Sequence, residues 1–201
     1  MTNEERLKFD TANVERFKTI YRVKIKRPGA EELLAWLEST DFFTAPASTK
    51  YHGAYPGGLV DHSLRVYGEM MNLGEIGRLD YYAELTGTSI SELEESAAIC
   101  GLLHDVCKAD FYEPKSGGGY QVKDRFPFGH GEKSVFLIER HMRLTDAEAL
   151  AIRWHMGAFD DAARGGSRTL SAARAFSPLV YELSAADMRA THDEQWRERD
   201  E

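Results

Sequence analysis

The sequence has few cysteines: only two occur in 201 residues. Cys100 and Cys107 fall seven residues apart in a segment that reads as one helix, which separates them by about 10 Å along the helix axis. That separation excludes a disulfide bond between them. We therefore interpret both cysteines as small apolar core residues of a protein in a reducing compartment.

Long hydrophobic segments are also missing. No apolar run approaches the roughly 20 residues that a membrane-spanning helix needs. The first ten residues are charged and contain no apolar core segment, which argues against a secretory signal peptide. Together these absences predict a cytoplasmic protein that has no membrane partner.

An excess of positive charge is the third absence. The formal net charge is −8, and a protein that binds long nucleic acid usually carries a basic face. The charge therefore argues against long nucleic acid as a partner. Basic residues do cluster at Arg22, Lys24, Lys26 and Arg27, but acidic residues flank them on both sides. We interpret this cluster as a surface strand or linker.

What the sequence does contain is apolar residues at helical spacing, which predicts an all-α fold. Ser91 with Glu94, and Thr145 with Glu148, have the spacing of capping boxes that open helices. Tyr112 and Tyr120 belong to a glycine-rich segment, residues 111–128, in which we predict a small β-hairpin. Besides a first helix near the N-terminus, the pattern predicts helices over residues 30–38, 59–73, 91–108, 130–141, 145–156 and 178–191.

Several histidines and aspartates break the amphipathic pattern, because helix phase places them on apolar faces. A buried carboxylate is costly unless another group compensates its charge. Two aspartates facing one core beside several histidines are most economically satisfied by a cation, and this donor set suits Fe, Mn, Ni, Co or Zn. The residues with this phase are His62, His104, Asp105, His155 and Asp187.

His104 and Asp105 are adjacent, which constrains how they could share an ion. Neighbours on a helix point about 100° apart, so both can reach one ion only near a helix end or bend. The segment from Lys108 to Asp110 has the composition of such an end. We therefore place the centre of a metal site at this pair.

These residues carry a resemblance to the HD superfamily of metal-dependent phosphohydrolases. The family motif is a histidine, a His-Asp doublet and a distant aspartate on successive helices. Residues 57–62 end in the first histidine, residues 102–108 read Leu-Leu-His-Asp-x-x-Lys, and residues 185–187 end in the aspartate. The sequence is most similar to HD domains of bacterial and phage type, including the HD part of a bacterial 3′-5′ exoribonuclease.

The resemblance implies a helical HD-domain bundle and a two-metal site. Residues 1–201 would form a single domain, with residues 1–28 as an N-terminal helical extension and residues 40–192 as the core HD region. By analogy, two further histidines join the site, and two divalent transition-metal ions are bound with Asp105 as the bridge. The implied ligands are His62, His104, Asp105 and Asp187 for one ion, and Asp105, His130 and His155 for the other.

The activity implied is hydrolysis of a small phosphoester, a nucleotide or a related phosphate compound, by metal-activated water. Asp105 would be central to catalysis, and Lys108, one helical turn beyond the doublet, could contact the phosphate. His52, in the irregular segment before the first ligand, could protonate the leaving group.

Two other functions fit the same ligand pattern. HD-fold di-iron oxygenases share it and cleave C–C or C–P bonds. A non-catalytic regulatory module that binds metal would also retain it. The sequence alone leaves these alternatives open, and it does not identify the substrate.

Overall fold

A computed structural model describes the backbone of residues 3–197 and the side chains of residues 11–193. Within this part of the chain the protein is a bundle of α-helices with one two-stranded sheet. The helices are α1 (Asn3–Lys24), α2 (Ala30–Ser39), α3 (Gly58–Glu75), α4 (Arg78–Thr86), α5 (Ile90–Leu103), α6 (His130–Glu139), α7 (Asp146–Arg153), α8 (Asp161–Arg164), α9 (Thr169–Phe176) and α10 (Leu179–Arg197).

The sheet is the hairpin that the sequence predicts. Its strands are β1 (Tyr112–Pro114) and β2 (Tyr120–Val122), which pair antiparallel with Glu113 opposite Gln121. The three consecutive glycines after Ser116 form the turn, and two of them, Gly118 and Gly119, have positive φ angles that favour glycine. The all-α prediction with this small exception is therefore confirmed.

The start of α5 differs from the prediction. Ser89 caps this helix and forms the capping box with Glu92, whereas the sequence analysis assigned the box to Ser91 and Glu94. The second predicted box, Thr145 with Glu148, is present at the start of α7. Three short helices, α4, α8 and α9, were not predicted, and α10 continues to Arg197.

Helix α5 is the centre of the bundle. It contacts α1, α3, α4, α7 and α10, and every residue from 96 to 109 is buried. The helix ends at Leu103, and residues 106–108 form a short 3-10 turn. The helix end therefore falls at the His-Asp doublet itself rather than after Lys108, as the sequence suggested.

The packing of α5 against α3 depends on Gly101. A Cβ atom at this position would lie 2.6 Å from the Cα atom of Tyr67 in α3, so only glycine lets the two backbones approach this closely. Because His62 lies in α3 and His104 directly follows α5, this contact helps to set the separation of two candidate ligands.

We expect Gly101→Ala to lower the free energy of unfolding by about 1–3 kcal/mol, because the added methyl group overpacks a helix–helix contact. Gly68 in α3 is the matched control, since a Cβ there would meet nothing within 4 Å. Gly68→Ala should instead raise stability by about 0.5–1 kcal/mol through helix propensity. Denaturant titration of both variants measures the difference, and two changes of the same sign would contradict this account.

The basic cluster near residue 27 is not a strand, and the linker interpretation holds only for Lys26 and Arg27, which lie between α1 and α2. Arg22 and Lys24 belong to the last turn of α1, and Arg27 follows in the connection to α2. The guanidinium of Arg27 contacts the carboxylates of Glu95 and Glu148.

Among the described helices, none combines the length and the apolar character needed to span a membrane.

Candidate metal centre

The six predicted metal ligands come from five helices or their ends. His62 lies in the second turn of α3, His130 is the first residue of α6, and Asp187 is in α10. His104 and Asp105 follow the end of α5, and His155 follows the end of α7. Helix phase predicted five inward-facing positions. Four of them, His62, His104, Asp105 and His155, are at most 2% exposed.

One group forms around the side chains of His62 and His104. Their Nε2 atoms are 3.3 Å apart, and Asp187 Oδ1 is 3.1 Å from His62 Nε2 and 4.0 Å from His104 Nε2. Asp105 Oδ2 completes the group at 3.8 Å from His62 Nε2 and 3.5 Å from His104 Nε2. The donor atoms of His62, His104 and Asp105 lie close enough together to hold one metal ion.

A second group forms around His130 and His155. Asp105 Oδ1 lies 2.8 Å from His130 Nε2 and 3.5 Å from His155 Nε2. These three side chains could also hold one ion. The two oxygen atoms of Asp105 therefore face different pairs of histidines.

The pKa values of the side chains in the two groups shift in different directions. Burial alone would lower the pKa of His155, but interactions with Asp105 and Asp187 outweigh it and raise that pKa. Burial lowers the pKa of His104 and of His130, which leaves their Nε2 lone pairs available near neutral pH. Burial alone would raise the pKa of Asp105, but Lys108 and the neighbouring histidines outweigh it and hold that pKa well below its ordinary value. Burial alone would raise the pKa of Asp187, but the hydrogen bond with His62 and the attraction of His62, His104 and His155 together outweigh it and lower that pKa.

One atom tests whether these residues fit a metal ion. His155 Nε2 is buried and makes no hydrogen bond to the described residues. A buried polar atom without a partner costs free energy, and the ring points this atom toward the carboxylate of Asp105. Imidazole nitrogen and carboxylate oxygen are donors that divalent transition metals accept, so the residues present fit such an ion.

Lys108 and His52 lie at the same site. Lys108 is 8% exposed, and its Nζ is 2.6 Å from Asp105 Oδ2. The ring of His52 is half-buried and lies 4.8 Å, centroid to centroid, from that of His62. Both side chains line a cavity of about 420 Å³ that contains Asp105, His130, His155 and Asp187.

Part of the cavity wall was not predicted from the sequence. Tyr112 from β1 lines it, and apolar side chains from Met156, Phe159 and Met188 give it an apolar side. Phe159 and Met188 are 66% and 48% exposed, which is high for large apolar residues. The sequence could have pointed to these two residues, because they are close to the candidate ligands His155 and Asp187 along the chain.

Asp61 precedes His62 and is also buried, but it does not belong to either group. Its carboxylate accepts hydrogen bonds from the hydroxyl of Tyr55 at 2.7 Å and from the guanidinium of Arg65 at 3.0 Å. The guanidinium of Arg65 compensates its charge, and neither partner belongs to the two groups. Asp61 therefore anchors the helix that carries His62.

Comparison with known families agrees with this geometry. A family model described as HD domain matches residues 59–191, which is more than half of the chain. The chain therefore belongs to the HD domain family, whose members are generally metal-dependent phosphohydrolases. The match begins three residues before His62 and spans all six candidate metal-binding positions. No curated protein and no solved structure matches the chain significantly.

Proposed function

We propose that the protein is a metal-dependent phosphohydrolase that hydrolyses a small phosphoester at a two-metal site. The observation that carries this proposal is the position of Asp105, because each of its two carboxylate oxygens faces one pair of histidines. A carboxylate in that position is able to bridge two cations. Such cations, when bound, supply Lewis acidity toward the phosphoryl group and an activated water as the nucleophile.

Two side chains in the cavity, Lys108 and His52, would act on the substrate directly. Lys108 lines the cavity next to Asp105, so its ammonium group could attract and orient the substrate phosphate. The pKa of Lys108 is raised because the attraction of Asp105 outweighs the opposing effect of burial, so the group stays charged. His52 lines the cavity beside the first group and is placed to donate a proton to the leaving oxygen.

The dimensions of the cavity support a small substrate, and we propose a nucleotide. A volume of about 420 Å³ lies within the range of small-molecule sites. The part of the cavity lined by Lys108 and the candidate metal ligands suits a phosphate. The apolar side formed by Met156, Phe159 and Met188 suits the flat face of a base. The net charge of −8 gives no support to a long polynucleotide.

A combined metal and substrate screen tests the proposal. The protein is loaded separately with Mn²⁺, Ni²⁺, Co²⁺ and Fe²⁺ and offered nucleoside mono- and triphosphates, cyclic nucleotides and short RNA. We expect about two bound ions per chain by elemental analysis and release of phosphate or a nucleoside phosphate. Oxygen consumption with an organic substrate would instead favour the di-iron oxygenase, and metal binding without any turnover would favour a regulatory module.

Lys108→Met should reduce kcat/KM for the best substrate by about 10²-fold while both metal ions stay bound, because one preorganised charge on the phosphate is lost. Lys133 is a matched control: it is equally buried, and its Nζ pairs with Asp124 outside the metal cavity. Lys133→Met should therefore leave kcat/KM unchanged. Loss of metal in Lys108→Met would assign Lys108 to supporting the ligands rather than to the substrate.

A further inference from the structure

The histidines of the two groups differ in what holds their second ring nitrogen. His104 Nδ1 donates to the carbonyl oxygen of Gly101 at 3.0 Å, and His155 Nδ1 donates to that of Ile152 at 2.7 Å. Each acceptor lies three residues earlier, in the last turn of the helix that the histidine follows. This bond fixes the ring orientation and makes Nε2 a better metal ligand.

His130 cannot use that arrangement, because it begins its helix instead of ending one. Gly129 before it is outside the helix and has a φ of 92°, so no helical turn precedes the ring. Its Nδ1 faces a sulfur atom instead: Cys107 Sγ lies 3.3 Å away. The same sulfur is 3.9 Å from His130 Nε2, the nitrogen that faces Asp105. Because the two distances are similar, the sulfur packs over the face of the imidazole ring, nearer to Nδ1 than to Nε2.

The local structure fixes Cys107 in this position. Cys107 belongs to the 3-10 turn that directly follows Asp105, so the same turn carries the bridging carboxylate and the sulfur. Its backbone N–H donates to Ser134 Oγ at 3.1 Å, and Ser134 is fully buried in α6, one turn after His130. This hydrogen bond ties the turn to the start of α6 next to the imidazole ring of His130.

We propose that Cys107 is a positioning residue for the second metal ion, which it supports by packing its sulfur against the ring of His130 and fixing the orientation of that ring. This inference rests on the proposed two-metal site and names the residue that stabilises its His130 half. Cys100, the other buried cysteine, lies in the α5 core and makes no such contact with a candidate ligand in the described part of the chain.

The test measures Co²⁺ binding to the full chain by calorimetry, with separate dissociation constants for the first and second ion. Cys107→Ala should weaken the second ion by about 10-fold, the usual effect of removing a partner of a metal-bound histidine, and leave the first unchanged. Cys107→Ser keeps an atom in place of the sulfur and should restore part of the loss. Cys100→Ala is the matched control and should bind both ions like the wild type.

Several results would overturn the inference. The alanine variant could bind both ions with wild-type affinity, or the serine and alanine variants could be equally impaired. A sulfur-to-cobalt charge-transfer absorption in the wild type would make Cys107 a direct ligand instead. Thermal unfolding of the metal-free proteins separates lost packing from lost metal support, because Cys100→Ala also removes a buried sulfur. Wild-type protein that binds fewer than two ions would refute the proposed function itself.

Discussion

Replacing Asp105 with Asn should remove both metal ions at once and lower turnover by at least about 10³-fold, because the loss of a single electrostatic contribution already costs about 10²–10³. The substitution preserves the shape of the side chain and removes its charge. Both carboxylate oxygens are engaged, Oδ1 toward His130 and Oδ2 toward His104, so neither group retains a charged bridge. Elemental analysis and initial-rate measurements on the metal-loaded protein check both parts of this result.

Two comparison variants make this prediction specific to the bridge. Asp187 lies only in the group of His62 and His104, so Asp187→Asn should weaken one ion and leave the other. Glu182 is a buried carboxylate in the same helix that pairs with Arg78 and Tyr82, away from the cavity. Glu182→Gln should keep both ions. If Asp105→Asn retains either ion at wild-type affinity, Asp105 is not the bridge.

Helix phase was sufficient to predict most of the inward-facing candidates. His62, His104 and His155 stand at helical spacing from apolar neighbours, and such spacing fixes the side of a helix without any tertiary information. His130 could not be found this way, because a residue at the start of a helix has no preceding turn that defines its phase. Only the resemblance to a family pointed to it.

Details that depend on contacts between distant segments were beyond the sequence. The stretch after Thr88 contains two serines, each followed by a glutamate three residues later, so the pattern fits a capping box at Ser89 as well as at Ser91. The contact of Cys107 with His130 spans 23 residues and requires the 3-10 turn after Asp105. Hydrophobic periodicity predicts neither which serine caps the helix nor which distant residue contacts His130.

Arg27 illustrates the same limit, and its replacement should have a large effect on stability. Its guanidinium forms a bidentate pair with Glu148, with Nη1 2.6 Å from Oε2 and Nη2 2.9 Å from Oε1. Glu148 is completely buried and also accepts a hydrogen bond from Ser96 at 2.6 Å. Arg27→Met would leave this carboxylate buried without its cation, so we expect the free energy of unfolding to fall by about 3–5 kcal/mol.

Arg22 in the same basic cluster is the matched control. It is half-exposed and lies 3.5 Å from Glu31, so Arg22→Met should cost no more than about 1 kcal/mol. Adding Glu148→Gln to Arg27→Met should recover part of the lost stability, because the uncompensated charge is removed together with its partner. Urea titration of the single and double variants measures this coupling. If the two losses simply add, the cost of Arg27→Met comes from packing of its side chain. A recovery would mean that a buried ion pair holds the connection between α1 and α2 to α7, the helix that precedes His155. The charges of residues 22–27 alone cannot reveal this pair.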